Sequence, residues 1–197
     1  MDIDNQMNYI TNELRNLRPV FMRNLRVDRI DSLWDQWGVY SPHISYVAYL
    51  PKCISMIEKT NDLAYSDRFS GCFMGQFTFL DKKYIVHIET GEYSYEKHWK
   101  ISWNHFISQI AINKDRRFKD FVLFKPMTEN IKGILCGGID LHMDTRCFGT
   151  IDENLDCYSG VITSDKTEIH NFQKFQNPKK ILGVLDEQNY VDLLINL

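Results

Sequence analysis

The sequence predicts an α+β fold in which a mainly antiparallel, sandwich-like β-sheet core carries flanking helices. Apolar residues recur at helical spacing in the first third of the chain, whereas aromatic and β-branched segments of strand length follow from Cys72 onward. The 197 residues suit one domain, and no repeat or Gly- or Ser-rich linker divides them. We therefore expect a single domain with a helical N-terminal region, residues 1–62, and a sheet-rich core, residues 63–197.

The N-terminal region is expected to form three helices. The first has an apolar face and ends at Pro19, the second spans Val27 to Trp37 and is closed by Gly38, and Pro51 opens the third. Several arginines cluster in the first two helices: Arg15, Arg18, Arg23, Arg26 and Arg29. They form either a solvated helix face or a docking surface for an acidic partner.

The core begins with a predicted hairpin. The segments CFMGQFTFL and KKYIVHIET flank a polar turn at Asp81, Lys82 and Lys83. A helix capped by Ser94 follows, with one apolar face. Its face comprises Trp99, Trp103, Phe106, Ile107 and Ile110. Later strands are expected at FKDFVLFKP, IKGILCGGIDL, RCFGTI, CYSGVIT and KKILGVLD, and NYVDLLINL is expected to pack as a short helix or strand.

Composition narrows the class of protein. The formal net charge of −3 argues against nucleic-acid binding through a global basic surface. The N-terminus lacks the basic start and apolar core of a signal peptide, and no apolar stretch reaches the length of a membrane span. The odd number of cysteines, 5, fits reduced thiols in a cytosol. We expect a cytoplasmic, reducing setting, which includes delivery into a host cell by a dedicated secretion system.

The strongest chemical signal is Ser70-Gly71-Cys72 followed fifteen residues later by His87. A cysteine on a small-residue turn leaves room for a substrate, and a histidine in the next strand can take the thiol proton. Ser66 is a candidate to orient the imidazole. Gly71, with Ser70 and the backbone N–H of Cys72, is a candidate oxyanion site.

The predicted hairpin register sets Cys72 and His87 apart. If the chain turns at Lys82, His87 lies opposite Gln76 or Phe77, and Cys72 is roughly 13–17 Å away along the strand. Contact then needs a bend at Gly71 or Gly75, or strands that are not direct partners.

The segment from Ser66 to Gly91 resembles the cytotoxic necrotizing factor deamidases. Ser70-Gly71-Cys72 matches the end of their Leu-Ser-Gly-Cys signature, with Phe69 in place of leucine, and their histidine also stands in the next strand, followed by Thr-Gly. Here Ile88 and Glu89 separate His87 from Thr90 and Gly91. The wider superfamily includes Burkholderia lethal factor and chemoreceptor glutamine deamidases, and some of its members place a threonine where this chain has Ser66.

The resemblance implies a hydrolase that converts a glutamine side chain of a target protein to glutamate. Cys72 would be the nucleophile, His87 the general base and acid and Ser66 the orienting group, with no metal or organic cofactor. The family's targets include host GTPases, a translation helicase and chemoreceptors. We therefore expect a bacterial effector or toxin with a role in virulence, whose partner is a target protein rather than nucleic acid or a membrane.

Four alternatives remain open from the residues alone. The same dyad serves a cysteine peptidase or a transglutaminase. His142 is a second possible partner for Cys72. Cys136, His142, Cys147 and Cys157 contain zinc-ligand residue types, but their spacing lacks a paired Cys-x-x-Cys. A non-catalytic interaction module would use Cys72 only as a small buried side chain.

Overall fold

A computed structural model describes residues 34–35, 38–40, 44–49, 54–90, 97–136, 145–163 and 169–196. These residues form twelve strands, two α-helices and one 3-10 helix. The strands are β1 Trp34–Asp35, β2 Gly38–Tyr40, β3 Ile44–Val47, β4 Ile54–Glu58, β5 Leu63–Asp67, β6 Phe73–Phe79, β7 Lys82–Ile88, β8 Phe118–Phe124, β9 Thr145–Ile151, β10 Cys157–Thr163, β11 Ile169–Lys174 and β12 Lys179–Val184. The α-helices are α1 Lys97–Ile112 and α2 Glu129–Cys136, and the 3-10 helix is Tyr190–Leu193.

The strands form two six-stranded sheets. The first sheet has the order β1-β4-β7-β6-β8-β12, and the second has the order β11-β10-β9-β5-β3-β2. Only the β1–β4 and β3–β5 pairs are parallel among the described ladders, and the other pairs are antiparallel. The predicted α+β class with a mainly antiparallel core is therefore confirmed.

The core has two main layers of apolar side chains. Met74 and Ile85 of the first sheet share one buried cluster with Ala64 and Cys147 of the second sheet, so the two sheets pack face to face. The opposite face of the first sheet packs against α1. This contact forms a second buried cluster, which contains Trp103 and Ile107 of α1. The amphipathic helix predicted after Ser94 is therefore confirmed.

The region predicted to be helical at the N-terminus lies partly outside the described residues, and its described part forms strands. Residues 1–33 lie outside the described residues, as does the arginine cluster. Further along, Trp34–Asp35 and Gly38–Tyr40 are strands, and the helix predicted to open at Pro51 is wrong because Ile54–Glu58 is strand β4. Residues on both faces of β4 are buried, so its apolar residues Ile54, Met56 and Ile57 do not show the strict alternation of a half-buried strand.

Two later predictions also need correction. The segment beginning at Ile131 was expected to be a strand, but Glu129–Cys136 is helix α2, which Glu129 and the Thr128 hydroxyl favour at its N-terminus. The strands predicted from the sequence include none around His170, but Ile169–Lys174 forms β11. The strands predicted at β8, β9, β10 and β12 are confirmed.

Candidate active site

Three of the predicted site residues meet between the two sheets. Ser66 lies on β5 of the second sheet, His87 lies on β7 of the first sheet, and Cys72 immediately precedes β6. All three are buried, with exposed fractions of 0% for Ser66, 1% for His87 and 2% for Cys72. The structure therefore brings together β5 and β7, which are separated in the chain by one strand, β6.

The hairpin register brings Cys72 and His87 to the same face. The predicted register is wrong, because His87 pairs with Met74 rather than with Gln76 or Phe77. The turn consists of Leu80 and Asp81, with φ angles of 48° and 63°, and not of the predicted residues 81–83. Two residues in the left-handed region are typical of a type I′ hairpin turn. Cys72 is two residues from Met74, so it shares the inner face with Met74 and His87 without a bend.

Ser66 fixes which nitrogen of His87 carries the proton. Its hydroxyl donates to the carbonyl oxygen of Val47 at 2.7 Å, and its Oγ lies 2.7 Å from His87 Nδ1. Since a hydroxyl has only one proton, Nδ1–H must donate to Ser66 Oγ. The neutral imidazole then has an unprotonated Nε2, which makes no hydrogen bond and is buried. A free lone pair on Nε2 is what a general base needs.

Aromatic side chains enclose the His87 ring. Phe69 stacks on it with centroids 4.2 Å apart and planes within 4°, and Tyr49 lies tilted at 5.3 Å. Burial lowers the pKa of His87 from 6.5 to about 3, because the charged imidazolium loses its hydration. His87 is therefore neutral throughout the physiological pH range.

The Cys72 thiol is also held in its neutral form. Burial raises its pKa, and the negative charge of Glu89 acts in the same direction, whereas backbone hydrogen bonds from Thr90, Ser70 and Gly71 lower it. The sulfur is not hydrogen-bonded to His87 Nε2, which has no partner. In this structure, the thiol of Cys72 and the imidazole of His87 are therefore both neutral. They lie on the same inner face and make no hydrogen bond to each other.

The expected open approach to the sulfur is not present. Two hydrogen bonds hold the turn before Cys72 against the sheets: Thr90 Oγ1 donates to the Gly71 carbonyl oxygen at 2.5 Å, and the Phe69 N–H donates to the Cys147 carbonyl oxygen at 3.2 Å. Ser70 is exposed and Gly71 is half-buried, so this turn is the part of the site that meets solvent.

Ser70 and Gly71, the predicted oxyanion residues, directly precede Cys72 in this turn. A Cβ on Gly71 would lie 3.3 Å from the carbonyl oxygen of Thr90, which is a tight contact. Backbone groups of both Ser70 and Gly71 lower the pKa of the Cys72 thiol, which is the effect expected of amide groups close to the sulfur. Such groups stabilise a thiolate or an oxyanion equally well.

Sequence reasoning missed three neighbours of the dyad. Tyr49 and Glu89 form a hydrogen bond at 3.0 Å beside the His87 ring, and Val47 completes the serine contact. Val47 and Tyr49 come from β3 and the residues after it, far from the motif in sequence, and carry no local signal. Glu89 had one available signal, since it lies two residues after His87 and so on the same strand face.

The alternative partner His142 and the proposed zinc cysteine Cys136 lie in or beside residues 137–144, which are outside the described residues. Within the described part of the chain, no group of three or more His, Cys, Asp or Glu side chains is arranged to hold a metal ion. In the same residues, no helix has the length and apolar character required to cross a bilayer.

Comparisons with known proteins add no relative. The chain matches no protein-family model, and no curated protein sequence matches it significantly. The resemblance of residues 66–91 to the glutamine deamidases stays a prediction from the sequence, and the argument for function depends on the geometry of the site.

Proposed function

We propose that the protein is a thiol-dependent deamidase that converts a glutamine side chain of a target protein to glutamate. The observation that carries the proposal is the Ser66–His87 hydrogen bond, which leaves Nε2 unprotonated on the face that Cys72 shares. A buried histidine that served only as packing would not need this unpartnered nitrogen, since an unsatisfied buried polar atom is destabilising.

The reaction has two halves. In the first, His87 Nε2 takes the proton of the Cys72 thiol, and the sulfur bonds to the carbon of the carboxamide. The carbon–nitrogen bond then breaks, and ammonia leaves with the proton returned by His87. In the second, water attacks the thioester, gives a proton to His87 and releases the carboxylate, and the sulfur regains its proton. The net change is glutamine plus water to glutamate plus ammonia.

The closed structure is the resting form in this proposal. Phe69 covers His87 and belongs to the same turn that covers Cys72. Outward movement of this turn would expose both groups together. Solvation would then move both pKa values toward their ordinary ranges, where proton transfer from thiol to imidazole is easier.

The biological setting follows from the resemblance and not from the geometry. We propose a bacterial effector, delivered into another cell, whose target is a regulatory protein such as a GTPase. A glutamine that positions a water in such a switch loses its role when it becomes an anion. The described cysteines Cys72, Cys147 and Cys157 are free thiols, which fits action in a reducing compartment.

The test uses proteins from a eukaryotic cytosol in water enriched in the heavy oxygen isotope. In target peptides, the wild-type protein should convert a glutamine residue to a glutamate residue that carries heavy oxygen. The variants Cys72→Ser and His87→Gln should not cause this conversion. Cys147→Ser is the matched control, because Cys147 is another buried free thiol in the same inter-sheet cluster and should be dispensable. Cleaved backbones would instead indicate a peptidase, and new amine adducts would indicate a transglutaminase. Labelling that persists in Cys72→Ser would exclude this site.

A further inference from the structure

A buried carboxylate lies beside the candidate nucleophile. Thr90 Oγ1 reaches the Gly71 carbonyl oxygen, so the β6–β7 pairing of Phe73 with Ile88 continues beyond the ladder and sets Glu89 across from Cys72. Glu89 alternates with His87 on the inner face, and only 7% of its surface is exposed. Its Oε1 accepts a hydrogen bond from the Tyr49 hydroxyl at 3.0 Å.

This carboxylate opposes formation of the thiolate. Its negative charge is one of the causes that raise the pKa of the Cys72 thiol. Nucleophilic attack by sulfur needs the thiolate, so the charge of Glu89 adds to the effect of burial and disfavours this step further. Glu89 lies across from Cys72 and disfavours its thiolate, so its presence there is better explained by an interaction with the substrate.

The substrate and the product of deamidation differ in the group that would meet Glu89. A carboxamide is neutral and has two N–H donors, whereas a carboxylate is negative and has none. An ionised carboxyl side chain only accepts hydrogen bonds. It can therefore bind the amide nitrogen that will leave, and it repels the carboxylate that remains.

We propose that Glu89 is the specificity-determining residue of this site, which selects neutral carboxamides over carboxylates and repels the glutamate product. The choice of glutamine as ligand rests on the proposed function, but the charge selectivity is a property of the site and can be measured without the natural target. The Tyr49 hydroxyl donates to one oxygen of this carboxylate, and the selectivity that we propose comes from the charge of Glu89.

Iodoacetamide and iodoacetate are suitable probes because they have similar size and differ in the same group. Each is attacked by the thiolate, which forms a carbon–sulfur bond and releases iodide. The ratio of their rates at Cys72 is divided by the same ratio for the urea-unfolded protein. Because both reagents meet the same thiolate, any change in the thiol pKa cancels from this ratio.

We expect the normalised ratio to be about tenfold or more in favour of iodoacetamide in the folded protein, as for a like charge within a few ångströms of the reacting carbon. Glu89→Gln should bring it close to one, since glutamine keeps an acceptor for Tyr49 but loses the charge. Glu153→Gln is the control, because Glu153 is an exposed carboxylate in the turn between β9 and β10, and its ratio should match wild type. Tyr49→Phe keeps the carboxylate and should keep the preference.

Three results would overturn the proposal: a wild-type ratio of one, an unchanged ratio in Glu89→Gln, or a folded Cys72 that neither reagent modifies. If Glu89→Gln does not fold, the rate ratio of the folded wild-type protein, divided by that of the unfolded protein, still tests whether the site is charge-selective. Deamidation by Cys72 without charge selectivity would reject the role of Glu89 alone. Charge selectivity without any Cys72-dependent deamidation would reject the proposed function and keep the selective site.

Discussion

Replacement of Ser66 by alanine removes the hydroxyl that links the two sheets at the candidate site. Ser66 accepts from His87 Nδ1 and donates to the Val47 carbonyl oxygen, each at 2.7 Å. Alanine leaves both groups buried without this partner, and each orphaned group costs about 1–3 kcal/mol. We therefore expect the free energy of unfolding to fall by about 2–6 kcal/mol, the sum of the two costs.

The measurement is urea denaturation at neutral pH for Ser66→Ala and Ser159→Ala in parallel. Ser159 is the matched control because it is equally buried, at 0% exposed, and its hydroxyl has no hydrogen-bond partner. Because Ser159→Ala removes a buried hydroxyl that already lacks a partner, it should not lower the free energy of unfolding and should raise it by up to about 1–3 kcal/mol. Equal effects of the two substitutions would refute the view that Ser66 holds the imidazole, and with it the assignment of the proton to Nδ1.

Three further outcomes are expected. Because burial lowers the pKa of His87 from 6.5 to about 3, the unfolded chain binds a proton in this range that the folded protein does not, so stability is full above pH 6.5 and falls toward pH 3. The slope from this group approaches about 1.4 kcal/mol per pH unit and should be absent in His87→Gln, as measured by urea titrations at several pH values. Gly149→Ala should lower the melting temperature, since its Cβ would lie 2.7 Å from Pro126, whereas Gly133→Ala in α2 meets nothing and should raise stability by about 0.5–1 kcal/mol. Thr90→Val removes the hydrogen bond that closes the turn and should speed alkylation of Cys72 without affecting Cys147, and an unchanged rate would contradict the account of the closed form.

The motif itself was visible in the sequence because its parts are local. Ser66, Cys72 and His87 lie within one strand–turn–hairpin unit, where spacing and small residues carry information. The register was not visible, since the turn uses Leu80 and Asp81 in the left-handed region, where glycine or asparagine is the usual signal. A turn placed too late in the chain gave the separation that the structure removes.

The misassigned elements have a common physical cause. Strand β4 is covered on both faces, so its period is hidden, and a short helix such as α2 shows the same few apolar residues that a strand would. Burial of Cys72 was also beyond local reasoning. It depends on hydrogen bonds from Thr90 and to Cys147, which meet the turn only after the sheets have paired and packed.

The protonation state of His87 tests the central claim most directly. Nitrogen-15 NMR of the six histidine rings, with His87 assigned by its loss in His87→Gln, reports which ring nitrogen carries the proton. We predict a protonated Nδ1 and an unprotonated Nε2 at neutral pH, and a shift toward the opposite tautomer in Ser66→Ala. A wild-type ring protonated on Nε2 would contradict the account, because the ring nitrogen that makes no hydrogen bond would then have no lone pair to receive the thiol proton.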